Sequence, residues 1–214
     1  MEYRRSIELN SSDHILRIEF SDFLASRERW DESFEQALLA LEVAPGSAVV
    51  YGQLGSSLFW SRRYDDAIPY LERAIELDPQ APRPIVKLGW ILMARKDFAG
   101  ALNLFTKAAE LSDFVAFKPH RGSAYLALGN VEMARQLLDE AVVAKRSNTE
   151  SVGLAYALGD TMLAFLILED LIDQRARGMN WLTVMPEFDA MRDDPRFIEI
   201  VAKLDRQSIT GEQQ

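Results

Sequence analysis

The sequence predicts an all-α fold, a solenoid of stacked helical hairpins closed by a C-terminal capping helix, and three observations predict it. Marker residues recur at a spacing of 33 or 34. Glycines 55, 89 and 122 keep that step, as do Ala40, Ala74, Ala108 and Ala141, Ala67, Ala101 and Ala134, the aromatics Trp30, Tyr64 and Phe98, and Pro45 and Pro79. Within one period the apolar spacing is helical twice over, so each unit is a hairpin that cannot bury its apolar face without a neighbour. Beyond residue 178 the period stops, and a single amphipathic stripe follows.

The units fall in order. Residues 1–13 read as a half repeat: Ser6 stands one period before Ala40, so MEYRRSIELN is the second helix of a hairpin. A helix of about nine residues is marginal alone in water. It is expected to dock on residues 15–27, with Ile7 and Leu9 as contacts, or to fray. The opening then reads as a cut edge in a longer array. Residues 14–47 keep Leu24, Trp30, Ala40 and Pro45 but place Phe20-Ser21 where later units have Leu-Gly, and Ser33 where they have alanine. Residues 48–81 carry Tyr51, Leu54, Gly55 and Leu58 on a first helix and Ala67, Leu71, Ala74 and Leu77 on a second. Arg62-Arg63 makes the turn and Asp78-Pro79 the stop. Residues 82–114 repeat this through Leu88, Gly89, Phe98, Ala101, Phe105 and Ala108, and residues 115–144 through Gly122, Tyr125, Ala134, Leu138 and Ala141. Residues 145–178 keep Tyr156, Gly159 and Ala164, with a first helix about one turn short.

This pattern resembles the tetratricopeptide (TPR) repeat, a 34-residue two-helix unit with a Leu-Gly pair, later small alanines and a proline near its end. The resemblance covers roughly residues 1–175 and implies a right-handed superhelix, an array over residues 1–178, and a non-catalytic module that binds a peptide or protein.

The end of the chain completes the fold. Leu163 to Leu168 is apolar all round, so the helix carrying it is expected to be covered on every side. Residues 179–207 supply the cover. Asp194 is an N-cap, Pro195 opens the capping helix expected over 195–206, Phe197, Ile200, Val201 and Leu204 form its stripe, and 208–214 read as a loose tail. Trp181-Leu182, Pro186-Glu187-Phe188-Asp189, Arg192 and Asp194-Pro195-Arg196-Phe197 resemble the ending of TPR regions in larger bacterial regulators, among them transcription regulators, nucleotide cyclases and kinases. That implies a regulatory setting whose catalytic or DNA-binding part lies outside this sequence.

Chemistry is sparse. A net charge of −9 argues against nucleic-acid partners, which need a basic footprint. No cysteine is present, which excludes disulfides, thiolate metal sites and cysteine nucleophiles. His14 and His120 lack metal-ligand spacing, and Gly55-Ser56-Ser57-Leu58-Phe59 is no nucleophile elbow. Asp193-Asp194 reads as a turn and cap. The expectation is therefore no catalytic, metal or cofactor site, no direct membrane insertion, and a cytoplasmic location that an upstream domain would be able to change.

A binding surface remains. In the TPR resemblance the first helix of each unit lines a concave groove. Carried over position by position, this nominates Glu19 and Asp22, then Gln53, Ser56, Phe59 and Trp60, then Arg83, Lys87, Trp90 and Met93, then His120 and Ser123. Trp60 and Trp90 have a packing alternative, and Arg83 and Lys87 a solvated one. The carboxylate clamp of chaperone-binding TPR proteins is not supplied by Glu19, Asp22 and Gln53. The expected partner is a protein or peptide of negative character. Self-association through the N-terminal edge is the alternative.

Overall fold

Helices begin at the aromatics that mark the period and three residues after its prolines. The computed structural model describes residues 2–10, 12–111, 117–145, 148–174, 176 and 179–211, and every regular element among them is helical. Its contacts divide the chain into two compact units, Met1–Phe114 and Val115–Gln214.

The first unit contains α1 (Glu2–Leu9), α2 (His14–Ala25), α3 (Trp30–Val43), α4 (Ala48–Trp60), α5 (Tyr64–Leu77), α6 (Pro82–Ala94) and α7 (Phe98–Leu111). The second contains α8 (Lys118–Ala127), α9 (Val131–Val143), α10 (Thr149–Ala157), α11 (Thr161–Asp173), two 3-10 segments (Met179–Trp181 and Pro186–Met191) and α12 (Pro195–Gly211). Helices pair as α2–α3, α4–α5, α6–α7, α8–α9 and α10–α11. Trp30, Tyr64 and Phe98 each open the second helix of a pair.

One turn design joins every pair. Glu28, Arg62, Lys96, Gly129 and Gly159 all take positive φ, between 58° and 84°. In the α4–α5 turn Arg62 N donates to Phe59 O at 3.0 Å and Arg63 N to Leu58 O at 2.9 Å; Lys96 and Asp97 repeat this with Met93 and Leu92. This double closure satisfies carbonyls that a helix end leaves open. Glycine accepts the left-handed backbone freely, whereas Glu28, Arg62 and Lys96 hold it against their own Cβ.

The alanine series is the seam of each hairpin. Ala40, Ala74, Ala108 and Ala141 are all fully buried, and so are Ala67, Ala101 and Ala134. Glycine serves the same purpose on the facing helix. A Cβ at Gly55 would lie 2.6 Å from the Leu71 side chain, and one at Gly89 2.4 Å from Phe105. The first complete hairpin solves the problem in reverse. Ser21 replaces the glycine, and the residue one period before Leu71 is the small Ala37; both are fully buried.

Ser21 then needs partners, and the departures from the repeat pattern supply them. Its hydroxyl donates to Ser33 O at 2.8 Å and lies 3.0 Å from Ser33 Oγ and 3.3 Å from Ser57 Oγ. Ser33 Oγ donates back to Ser21 O at 2.9 Å, and its hydroxyl is 2.9 Å from that of Ser57. Three buried hydroxyls thus satisfy one another across α2, α3 and α4, as buried polar groups must.

Helix α1 docks on α2, with Ile7 near Phe20 and Leu24 as the sequence suggested but without Leu9. Tyr3 stacks on Phe20 at 5.4 Å between ring centroids and meets Phe23 at 5.6 Å. Ile7 is half-buried, whereas Leu9 is 83% exposed. Leu9 is the last residue of the helix, so its side chain projects past the surface Tyr3 uses.

In the second unit α10 is short, nine residues against thirteen in α4, as the sequence suggests. Helix α11 corrects an expectation. Ala164, Phe165, Ile167 and Leu168 are buried, but Leu166 is 57% exposed and Met162 73%. The cap packs on α10, and α11 keeps an outward apolar face. The cap itself is tightly held. Phe188 and Phe197 stack at 5.5 Å, Leu182, Phe188 and Met191 are buried, and Arg192 donates to the carbonyls of Thr183 and Met185 and to Asp189 Oδ1. Asp194 Oδ1 accepts from Arg196 N at 2.9 Å, the capping role predicted for it, while the Arg196 guanidinium lies 4.0 Å from the Phe165 ring centroid. Helix α12 runs on to Gly211, past the expected end at 206; residues 212–214 of the expected tail lie outside the described residues.

Candidate peptide-binding face

The first helices α2, α4 and α6 lie side by side in the first unit, and eight of the nominated residues stand on α4 and α6. Their positions differ in kind. Gln53 and Ser56 are each only 7% exposed. Gln53 Nε2 donates to Asp22 Oδ1 at 2.8 Å and to Ser21 Oγ at 3.1 Å, and Ser56 Oγ donates to Gly52 O at 2.5 Å. These two form the floor and spend their polar groups inside the fold. Phe59, expected at the groove, is buried beneath Trp60 instead, edge-on at 4.8 Å and 5.7 Å from Tyr64. It faces the hairpin seam rather than the open face.

Trp60 and Trp90 do both things the sequence allowed. Trp60 packs on Phe59, and Trp90 meets Phe105 edge-on at 5.6 Å, yet each keeps part of its surface open. Arg83 is exposed at the start of α6 and Lys87 follows one turn later, half-buried. The Lys87 ammonium stands 5.6 Å from the Trp60 ring centroid, a cation–π geometry.

The charges on this face perturb one another. Burial pushes Lys87 down to about 8, against the pull of Asp22 and with the help of Arg83. Burial raises the Asp22 carboxyl, opposed by the Gln53 hydrogen bond and the charges of Lys87 and Arg83. Asp22 still presents surface to solvent.

His120 and Ser123 belong to the second unit, on α8. His120 is 4% exposed, its Nε2 3.4 Å from Glu150 Oε1 and its ring stacked on Phe117 at 5.7 Å. Burial lowers its pKa, with Glu150 opposing. Ser123 Oγ donates to Pro119 O at 3.2 Å. The His120 contact ties α8 to α10, whereas the Ser123 bond stays within α8. Glu19 is exposed and Met93 half-buried. Sequence reasoning missed the serine cluster behind this face, although Ser21 and Ser33 had marked themselves by breaking the repeat pattern. Among the described residues no helix is long and apolar enough to cross a membrane.

Two family profiles described as tetratricopeptide repeat match residues 58–111 and 86–149. No curated protein matches the sequence. Solved structures share the fold at low identity. A thermophilic TPR protein of Thermus thermophilus is 17% identical with a TM-score of 0.64, over 73% of this chain and 87% of that one. Pseudomonas aeruginosa pilF is 20% identical with a TM-score of 0.59, over 89% and 87%. In the Cut9–Hcn1 hetero-tetramer the match has a TM-score of 0.65 at 17% identity, over 94% of this chain but 38% of that one. With the hairpin pairs, their shared turn and both profile matches in agreement, residues 58–149 are tetratricopeptide repeats and the chain has the tetratricopeptide-repeat fold.

Proposed function

We propose that the first unit binds a peptide segment of a protein partner along the face of α2, α4 and α6, as a non-catalytic interaction module within a larger bacterial regulatory protein. The observation that carries this reading is Lys87. It is a half-buried cation within cation–π distance of Trp60, beside a half-buried Trp90 and an exposed Arg83. Aromatic and arginine anchors in such settings dominate binding energies. The regulatory setting rests on the cap motif.

Capture of partners by wild type, by Lys87→Glu with Trp90→Ala, and by Glu72→Lys on the exposed side of α5 tests the reading. Partners retained by wild type and Glu72→Lys but lost from the double variant support it. Equal recovery by all three overturns it.

A second reading, self-assembly through α1, draws on the 83% exposure of Leu9 and on an exposed Ser6, at a place where Ala40, Ala74 and Ala108 are fully buried. Light scattering after size exclusion decides it: a monomer at all concentrations excludes this use of the edge.

A further inference from the structure

We propose that the fifth hairpin is a second segment-binding site whose resident ligand is the chain's own Pro186–Met191. A free peptide carrying the same Phe188 and Met191 anchors takes the site once the resident segment is loosened. This site rests on contacts within the second unit, so it stands or falls apart from the peptide face of the first.

The turns give the register. Asp22, Ser56, Trp90, Ser123 and Gly153 each stand six residues before the positive-φ residue of their own hairpin turn, namely Glu28, Arg62, Lys96, Gly129 and Gly159. Gly153 on α10 is thus the counterpart of Trp90 on α6. At the place from which Trp90 extends its indole, a Cβ on Gly153 would meet Glu187 O at 2.5 Å and Glu187 C at 3.1 Å. Backbone of the 3-10 segment therefore lies over a row that the other hairpins fill with side chains. A helix interior favours alanine over glycine by about 1 kcal/mol, and only the bare glycine admits a second backbone this close.

The segment meets α10 as a ligand would. Phe188 and Met191 are fully buried, in one apolar cluster with Val152, Leu154, Phe165 and Leu168, while Asp189 and Ala190 between them are exposed. Residues three apart fall on one face of a 3-10 turn, so the two anchors enter together. Its shape is held by the cap's own residues: Arg192 donates to the carbonyls of Thr183 and Met185 and to Asp189 Oδ1. A segment that keeps its own turn and docks by two buried anchors has the make-up of a bound peptide. A cap that serves only as core makes the opposite prediction. Loosening it would unfold α10 and α11, and no peptide would replace it.

Arg192→Ala and, more mildly, Asp189→Asn loosen the segment in the full chain and leave both anchors in place. A fluorescent peptide of residues 181–194 is titrated into wild type and both variants, and amide exchange follows residues 183–191 and α8–α11 separately. Arg192→Ala is expected to bind the peptide about tenfold or more tighter than wild type, because apparent affinity scales with the fraction of open sites. Exchange rises across 183–191 while α8–α11 stay protected. A peptide with Phe188→Ala binds about tenfold more weakly. Adding Lys87→Glu and Trp90→Ala to the Arg192→Ala chain leaves peptide binding unchanged, which places it away from the first unit's face. Equal peptide binding by wild type and both variants, indifference to the peptide's Phe188, or binding lost with Lys87 and Trp90 overturns the proposal. Protection lost throughout α8–α11 in both variants, or exchange across 183–191 unchanged in both, also overturns it, since the segment is then core and not ligand.

Discussion

Replacing Gly153 by alanine sets two opposing effects against each other. Gly153 lies inside α10, where alanine is the better helix former by roughly 1 kcal/mol. The backbone of the cap passes directly over it. A Cβ there would lie 2.5 Å from Glu187 O, 2.8 Å from Glu187 Cβ and 3.1 Å from Glu187 C. The obstacle is backbone, so the 3-10 segment Pro186–Met191 must retreat by about 1 Å, a gap that forfeits a quarter to a half of the contact energy along it. Phe188 and Met191 are fully buried in that segment, and each such side chain is worth about 1.5–3 kcal/mol. Overpacking of this kind costs roughly 1–3 kcal/mol, so the clash outweighs the helix gain. The expected outcome is a net loss of about 1–2 kcal/mol, read by denaturant unfolding, with faster amide exchange across residues 186–191. Gly46→Ala, where nothing lies within 4 Å, is the control and should be neutral or slightly stabilising. A Gly153→Ala chain as stable as wild type, with unchanged exchange in the cap, refutes the close approach.

Other perturbations follow from the same structure. Lys96→Gly relieves the left-handed φ of 64° and should stabilise the chain by up to about 1 kcal/mol, measured as a rise in unfolding midpoint. Ser33→Ala removes a hydroxyl that serves Ser21 and Ser57 and should cost about 1–3 kcal/mol in denaturant unfolding. His120 is held below its ordinary 6.5 by burial, so the unfolded chain takes up the proton first. Stability is then full above about pH 6.5 and falls as pH drops below it. Melting curves from pH 7.5 to 5.5 should show this slope in wild type and a flatter one in His120→Gln. Lys87 titrates near 8 instead of 10.5, so its burial costs stability below pH 8, and that cost fades as pH rises from 8 to 10.5. Lys87→Met should therefore stabilise the chain at pH 7 by about 1–2 kcal/mol while weakening partner capture.

The repeating parts of the fold were legible because one geometric demand recurs. Close helix crossing requires small residues at fixed intervals, and Ala74, Ala108 and Gly55 meet it visibly. The cap was legible through Asp194, Pro195 and Phe197, since caps and stripes are local signals. What the sequence concealed depends on partners distant in the chain. Leu9 looked like a docking residue because it is apolar, yet Tyr3 docks α1, a choice set by the rings of Phe20 and Phe23. Leu166 looked covered because its run is uniformly apolar, but the cap sits on α10. Gly153 gave no periodic signal; only the path of Glu187 explains it. In the candidate site, Trp60, Arg83 and Lys87 were legible through repeat register. The inward turn of Gln53 and the burial of Phe59 follow from Ser21 and Tyr64, contacts that register alone does not specify.

A photoreactive amino acid placed at position 83 on α6 or at position 72 on α5, followed by irradiation with native partners and mass spectrometry of the adducts, tests the binding face most directly. The account predicts adducts from position 83 and none above background from position 72. Adducts from position 72 with none from 83, or equal yields at both, would contradict it.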